Sequence, residues 1–346
     1  MKKIKKDSGI YRVSYEDNKD LDKEGKPKLK FNYYYKKTNK SVSDEDLERI
    51  KKLMIPPSYT DVWVSLNPDN KLQATGIDIG GKVQYRYHTD HIKKAGDKKF
   101  LRLYDFIKSM PKLKEMMEKH WKLDDYEKFK TIVVMLEIVK ELHIRVGKEV
   151  YAQKNKSYGI TSLKKTHVSI DGDTIRFRFK GKSNKHLSYT LHNENITNYL
   201  KSLLKLEGEK LFQYIVNGKV FRVTDVDLNQ YIQEYMGKEF TCKDFRTYAA
   251  NYHFTKSLLN ETKKRKPKTQ KILKENLKKA QEDTAHYLRH TKAISKKSYV
   301  MKLLNELYLE DPEYFVKNKN KDPLDILLAV IRQFKRKLLE ERKNKN

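Results

Sequence analysis

The chain has 346 residues and 76 Lys and Arg against 46 Asp and Glu, a formal net charge of +30 that exceeds what solubility needs and points to a polyanion, nucleic acid being the commonest. Its 38% hydrophobic content suffices for one large or two medium cores, and the length suggests two domains. The single cysteine, Cys242, excludes an internal disulfide and a Cys-rich zinc site, and neither a long apolar run nor an amino-terminal apolar leader is found, so a soluble intracellular protein that does not enter membranes is expected.

Residues 10 to 92 predict short strands: "IYRVSY", "KFNYYY", "DVWVSL", "KLQATG" and "KVQYRYH", separated by the turn-rich "NPDN" and "DIGGK". One short helix interrupts them, starting at the capping sequence Ser43 to Asp46 and stopping at Pro56-Pro57. From about residue 96 helical periods take over, so the change of pattern divides the chain into residues 1–94, rich in strand, and 95–346, mainly helical. The class expected is α+β.

The segment "FKTIVVMLEIVKEL" is apolar nearly all round, as a buried helix would be, and it delivers Arg145. A charge there needs a partner or an anionic ligand. Next, Ile175, Phe177 and Phe179 alternate with Arg176, Arg178 and Lys180, and Leu187, Tyr189 and Leu191 follow a turn. This pattern predicts a three-stranded antiparallel sheet with "GKSNK", and so Lys182, at a hairpin tip.

In "TCKDFRTYAANY", Thr241 and Asp244 predict a helix cap, with Phe245, Tyr248, Ala249 and Tyr252 as its core face and Arg246 at the edge of the stripe. Leu273, Leu277, Ala280 and Tyr287 make the core face of the helix leading to His290. Ser295 is expected to start another, with Val300, Leu303, Leu304 and Leu307 inward and Tyr299 in its first turns. Leu324, Leu327, Ile331, Phe334 and Leu338 form a last stripe on a helix opened by Asp322 and Pro323.

Taken in order, Arg145, Lys182, the "KDFR" of residues 243 to 246, His290 and Tyr299 resemble the active-site set of type IB DNA topoisomerases, specifically the short poxvirus, mimivirus and bacterial type. "IPPSYTDVWVS", "QATGIDIGGKVQYRYH", "IRVGKEVYAQKNKSYGITSLKKTHV" and "FKGKSNKHLSY" resemble that family's patterns over essentially residues 43 to 310. Several ordered motifs with the right spacings make the match specific. It implies a β-rich DNA-binding domain and a mainly helical catalytic domain with a three-stranded sheet, closing as a C-shaped clamp on double-stranded DNA. It also implies a monomer that works without ATP, cofactor or required metal, in a bacterial cytoplasm or a virion or virus factory.

The implied roles fit the chemistry of a phosphodiester, whose non-bridging oxygens repel nucleophiles and whose transition state is more negative still. Arg145 and Arg246 can give planar bidentate contacts to those oxygens and His290 one further donor, each worth roughly 3 to 4 kcal/mol in a transition state. Tyr299 is the implied nucleophile, forming a 3′-phosphotyrosyl link and freeing a 5′-hydroxyl. A phenol, with pKa about 10, leaves more readily than an alkoxide, so the covalent step keeps the bond energy for religation. Lys182 fits the general acid that protonates the departing 5′-oxygen.

The resemblance also implies DNA contacts by Gln84, Tyr85 and Tyr87 in "KVQYRYH", by Lys148 and Tyr151, and by Lys243. Period-2 alternation sets Tyr85 and Tyr87 on one strand face and Gln84 on the other. Lys292, Lys296 and Lys297 read as phosphate-facing charges. Family members often have Gly before this His and Pro two residues after it, where this chain has Arg289 and Lys292. Tyrosine recombinases share the Arg, Lys, His or Trp and Tyr chemistry, but they usually show His-x-x-Arg where Lys243-x-x-Arg246 stands and lack the "IPPSYTDVW" and "VQYRYH" segments. A non-catalytic DNA-packaging protein would explain the charge without needing the ordered series.

Overall fold

The computed structural model describes residues 8–21 and 27–343. Alternating apolar and polar side chains in the amino-terminal region build one antiparallel sheet from β1 (Ile10–Leu21), β2 (Pro27–Tyr35), β3 (Thr60–Val64), β4 (Leu72–Ile77) and β5 (Val83–Tyr87), in the order β2-β1-β3-β4-β5. Helix α1 (Asp44–Lys52) covers it, and the core between them is small: Ile10, Ile50, Val62, Val64 and Ala74. Ser43 caps α1 by accepting from the Asp46 N–H, as its sequence predicts. The helix stops four residues before Pro56, because Met54 turns into the left-handed region at φ 48°. Arg12 fixes the following "IPPSY" turn: its guanidinium donates to the carbonyls of Pro56 (3.1 Å), Pro57 (3.3 Å) and Tyr59.

By its contacts the chain divides into two compact units, Met1–Lys99 and Phe100–Asn346. Helix α2 runs Thr89–Trp121, so residues 94 and 95, where the sequence pattern changes, lie inside a helix. In the larger unit α3 (Lys128–Leu142) is buried on every side, as expected from its uninterrupted apolar run. The short α4 (Glu149–Asn155) follows, then the three-stranded sheet β6 (Val168–Asp171), β7 (Thr174–Lys180) and β8 (His186–His192), antiparallel in that order. Phe177, paired with Tyr189, and Ile175, paired with Leu191, turn their side chains to the core. Next come α5 (Glu194–Leu204), the hairpin β9 (Gln213–Val216) and β10 (Lys219–Arg222), α6 (Asp225–Met236) and α7 (Cys242–Lys264). The last elements are α8 (Gln270–Tyr287), α9 (Lys292–Ser298), α10 (Lys302–Glu310), α11 (Pro312–Lys317) and α12 (Pro323–Lys343).

The structure corrects the sequence reading at several places in this unit. Helix α7 has no single core face: Phe245, Arg246, Thr247, Ala249, Ala250, Asn251 and Phe254 are all buried, because α7 packs against α3, α6, α8, α11 and α12. Arg246 is thus interior, with 2% of its surface exposed, and not at the edge of a stripe. Tyr287 is 41% exposed; the buried positions near the end of α8 are Thr284 and Ala285. Tyr299 does not lie in the first turns of a helix that runs from Ser295 to Leu307. It closes α9, and Met301, extended at ψ 127°, starts α10 anew.

Candidate active site

A cavity of about 260 Å³ in the larger unit is lined by Arg145, Lys182, Lys185, Lys243, Arg289, His290 and Tyr299, with Ser183, Leu187, Ile294 and Ser298. The charged wall residues arrive from four places: the end of α3 (Arg145), the β7–β8 tip (Lys182 and Lys185), the start of α7 (Lys243) and the turn after α8 (Arg289 and His290). Helix α3 terminates at His143, whose left-handed backbone (φ 52°) turns the chain toward Arg145. The Arg145 carbonyl then accepts from the Ile160 N–H (2.8 Å) and the Val146 carbonyl from the Thr161 N–H (2.9 Å). The two segments cross at Gly147 and Gly159: a Cβ on Gly147, whose φ is +78°, would meet the Gly159 nitrogen at 2.7 Å, and one on Gly159 would strike the Arg145 carbonyl.

The β7–β8 connection carries Lys182. The Gly181 N–H donates to the Lys185 carbonyl (2.8 Å), and Ser183 and Asn184 both take left-handed φ values, 61° and 63°, to turn the tip. Lys182 is exposed there. Lys185, which the sequence reading did not single out, comes from the same "GKSNK" tip, and that shared motif was the signal for it.

Arg246 stands behind the cavity wall. The Thr241–Asp244 box caps α7 as predicted, with the Thr241 N–H on the Asp244 carboxylate at 2.9 Å. Two turns of that helix bury the guanidinium, which donates to the His143 carbonyl and to the Leu288 carbonyl (2.9 Å) and hydrogen-bonds the Tyr299 side chain. Its carbon lies 5.7 Å from the Tyr299 ring centre. The neighbouring carboxylate, Asp244, is engaged by Arg102 at 2.5 Å.

His290 follows α8 through Arg289, and its N–H donates to the Ala285 carbonyl (3.0 Å). Its ring stacks on that of Tyr299 at 5.1 Å and 14°. Both ring nitrogens are buried without a protein hydrogen bond, as a group awaiting a ligand would be. Burial and then the charges of Arg246, Arg145 and Lys185 push its pKa down to about 4. For Tyr299 burial acts to raise the phenol, but Arg246, Arg145 and Lys243 outweigh it and the net shift is downward, which favours the phenolate nucleophile.

One further buried side chain holds the nucleophile's backbone. Asn251, fully buried on α7, donates to the Tyr299 carbonyl (3.0 Å) and accepts from the Met301 N–H (2.8 Å), satisfying both groups freed where α9 stops. Sequence reasoning missed it. Thr247, Asn251 and Thr255, polar residues at i, i+4 and i+8 along α7, were the available signal, since buried polar groups need partners.

Of the expected DNA contacts, Lys243 lines the cavity itself. Lys148 precedes α4 with its Nζ 3.8 Å from Asp225, and Tyr151 on α4 is 49% exposed. In the smaller unit Gln84 donates to Asp78 (2.7 Å), while Tyr85 and Tyr87 stack at 6.2 Å on one face of β5, as alternation requires. The side chains of Lys292, Lys296 and Lys297, expected to face phosphates, lie outside the described residues. Among the described residues no carboxylate lines the cavity, so it presents cations and the unpaired His290 ring around a phenol, an arrangement suited to a phosphate diester.

The sequence matches the family model of the eukaryotic DNA topoisomerase I catalytic core over residues 89–319, and that of the bacterial DNA topoisomerase IB N-terminal domain over residues 30–78. DNA topoisomerase 1B of Acanthamoeba polyphaga mimivirus is 50% identical over 317 residues, 90% of this chain and 94% of the relative. DNA topoisomerase 1B of vaccinia virus (strain Copenhagen) is 26% identical over 308 residues, 84% and 90% of the two chains. Among solved structures, the XerH site-specific recombinase bound to difH aligns over 58% of this chain and 51% of its own with 16% identity and a TM-score of 0.32, a distant likeness.

Proposed function

This chain belongs to the type IB DNA topoisomerase family, and from that premise we propose how its own residues change DNA topology. Tyr299 attacks a phosphodiester of double-stranded DNA, giving a 3′-phosphotyrosyl intermediate and a free 5′-hydroxyl. Strand rotation follows, and the 5′-hydroxyl reverses the attack without ATP, because the phosphotyrosyl bond retains the energy of the one it replaced. Arg145 and Arg246 hold the non-bridging oxygens and His290 donates to one of them, countering charge that grows in the transition state. Lys182 gives its proton to the leaving 5′-oxygen.

The observation that carries this reading is the convergence of Arg145, Lys182, Lys243, His290 and Tyr299 on one cavity, with Arg246 hydrogen-bonded to Tyr299 from behind. Lys148, Tyr151 and Lys243 hold the DNA near the cleaved bond. Residues 1–94 act as the DNA-binding domain, with Gln84, Tyr85 and Tyr87 reaching into the major groove, and residues 95–346 as the catalytic domain. The two close on the duplex as a C-shaped clamp, and the enzyme acts as a monomer inside the cell or virion.

Relaxation of supercoiled plasmid in EDTA without ATP is the test. The wild-type chain is expected to produce a ladder of relaxed topoisomers, and Tyr299→Phe to bind DNA and relax none. A requirement for paired sites would reassign the chain to strand exchange; a mobility shift without relaxation would reduce it to a packaging protein.

A further inference from the structure

The scheme above leaves two of the cavity's cations without a role, Lys185 and Arg289, and Arg289 is the more constrained. Its backbone is left-handed at φ 52°, an unfavourable conformation for a residue with a Cβ. The turn is held by the Arg289 N–H on the His286 carbonyl (3.0 Å) and the His290 N–H on the Ala285 carbonyl (3.0 Å). Its guanidinium carbon lies 4.4 Å from the ring centre of Tyr189 on β8, and that ring is itself buried to 3% exposure.

Tyr189 supports the guanidinium from one side, and the Arg289 side chain lines a cavity on whose wall no carboxylate stands among the described residues. A planar fork so fixed suits a phosphate, whose oxygens it meets two at a time. Arg246 and His290 are buried beside Tyr299, whereas Arg289 is exposed. With the scissile oxygens already met by Arg145, Arg246, His290 and Lys182 in the scheme above, the phosphate left to Arg289 is a flanking one.

We propose that Arg289, held over the Tyr189 ring, binds a phosphate of the cleaved strand next to the scissile one and so fixes the turn that carries His290. This rests on the assignment of Arg145, Arg246, His290 and Tyr299 made above. It adds a substrate-binding residue that makes no contact with the reacting atoms.

The test is single-turnover formation of the covalent adduct on duplexes with a mapped cleavage site, each bearing one neutral methylphosphonate at successive flanking positions. At one flanking position the wild-type rate is expected to fall about tenfold, as for loss of a charged hydrogen bond. Arg289→Gln should be slower by about the same factor on unmodified DNA and lose nothing more at that position, while elsewhere both proteins lose in parallel. Losses that multiply at every position, or an Arg289→Gln protein as fast as wild type, would overturn the proposal. Should Arg289→Gln not fold, Arg289→Lys, which keeps the charge but not the planar fork, is carried through the same series with the same two readings. Absence of adduct with wild type, or its presence with Tyr299→Phe, would instead defeat the site assignment on which the proposal stands.

Discussion

Helix α7 carries Arg246 with 2% of its surface exposed and its donors fixed on two backbone carbonyls, whereas the β7–β8 tip carries Lys182 in the open on left-handed turn residues. In the mechanism proposed above both cations act on one phosphate. The difference follows from what each must do. A group that stabilises developing charge gains most when it is oriented beforehand, since no reorganisation is then needed as the reaction proceeds. A proton donor must reach the leaving oxygen, and a flexible four-carbon stem on a hairpin tip can make that approach.

The contrast breaks first at Arg246. Arg246→Ala is expected to slow single-turnover cleavage by about a thousandfold and to lower stability by about 3 kcal/mol, because the carbonyls of His143 and Leu288 lose a buried charged donor. Thermal unfolding of the same preparation checks the second half; an unchanged midpoint would mean that the carbonyl bonds contribute nothing. Lys182→Ala is expected to slow cleavage by about a hundredfold, within the range of general acid catalysis, and to leave the thermal midpoint where it was. A 5′-bridging phosphorothiolate, whose thiolate leaves without a proton, should restore most of that rate, and failure to do so would remove Lys182 from the acid's role.

Asn251→Ala sharpens the comparison from the α7 side. It leaves the cavity's charges intact but frees the Tyr299 carbonyl and the Met301 N–H, so cleavage should fall by about tenfold and stability by about 2 kcal/mol. A rate loss without a stability loss would mean that the amide touches the substrate rather than the nucleophile's backbone.

The smallest expected effect is on pH. His290 and His253 titrate at about 4 and His143 at about 3, all lowered first by burial, then by Arg246, Arg145 and Lys185 at His290, by Lys256 at His253, and by His253 and Arg246 at His143. Below about pH 6.5 the unfolded chain therefore takes up protons that the folded chain refuses. The stability these groups allow is whole above that pH and is lost progressively toward pH 4. His253→Phe should flatten the fall of the thermal midpoint between pH 7 and pH 5, with activity at neutral pH preserved.

What was legible in the sequence tracks how local each cause is. The strands of the smaller sheet and the β7–β8 hairpin rest on period-2 alternation and turn residues, and the α7 cap rests on Thr241 and Asp244 three residues apart. The interior position of Arg246 rests on packing around α7 from many sides, which no single-helix stripe encodes. The break after Tyr299 needs Asn251, nearly fifty residues upstream, and the apolar pattern of Val300, Leu304 and Leu307 simply continued across it. The left-handed backbone at Arg289 was equally hidden, because arginine does not announce such a turn, and at His143 the histidine's preference for that region is too weak to place it alone.

The crossing of Gly147 and Gly159 has a consequence for how this enzyme can vary. In a library of random substitutions selected for relaxation, Val150, 54% exposed on α4, should admit many replacements. Nearby Gly147, and Gly159 twelve residues after it, should admit none, although a glycine brings no side chain to the substrate. At these two positions the backbone itself occupies the space of a methyl group. The most restrictive sites in the sequence profile of such a library would therefore include residues with no side chain at all.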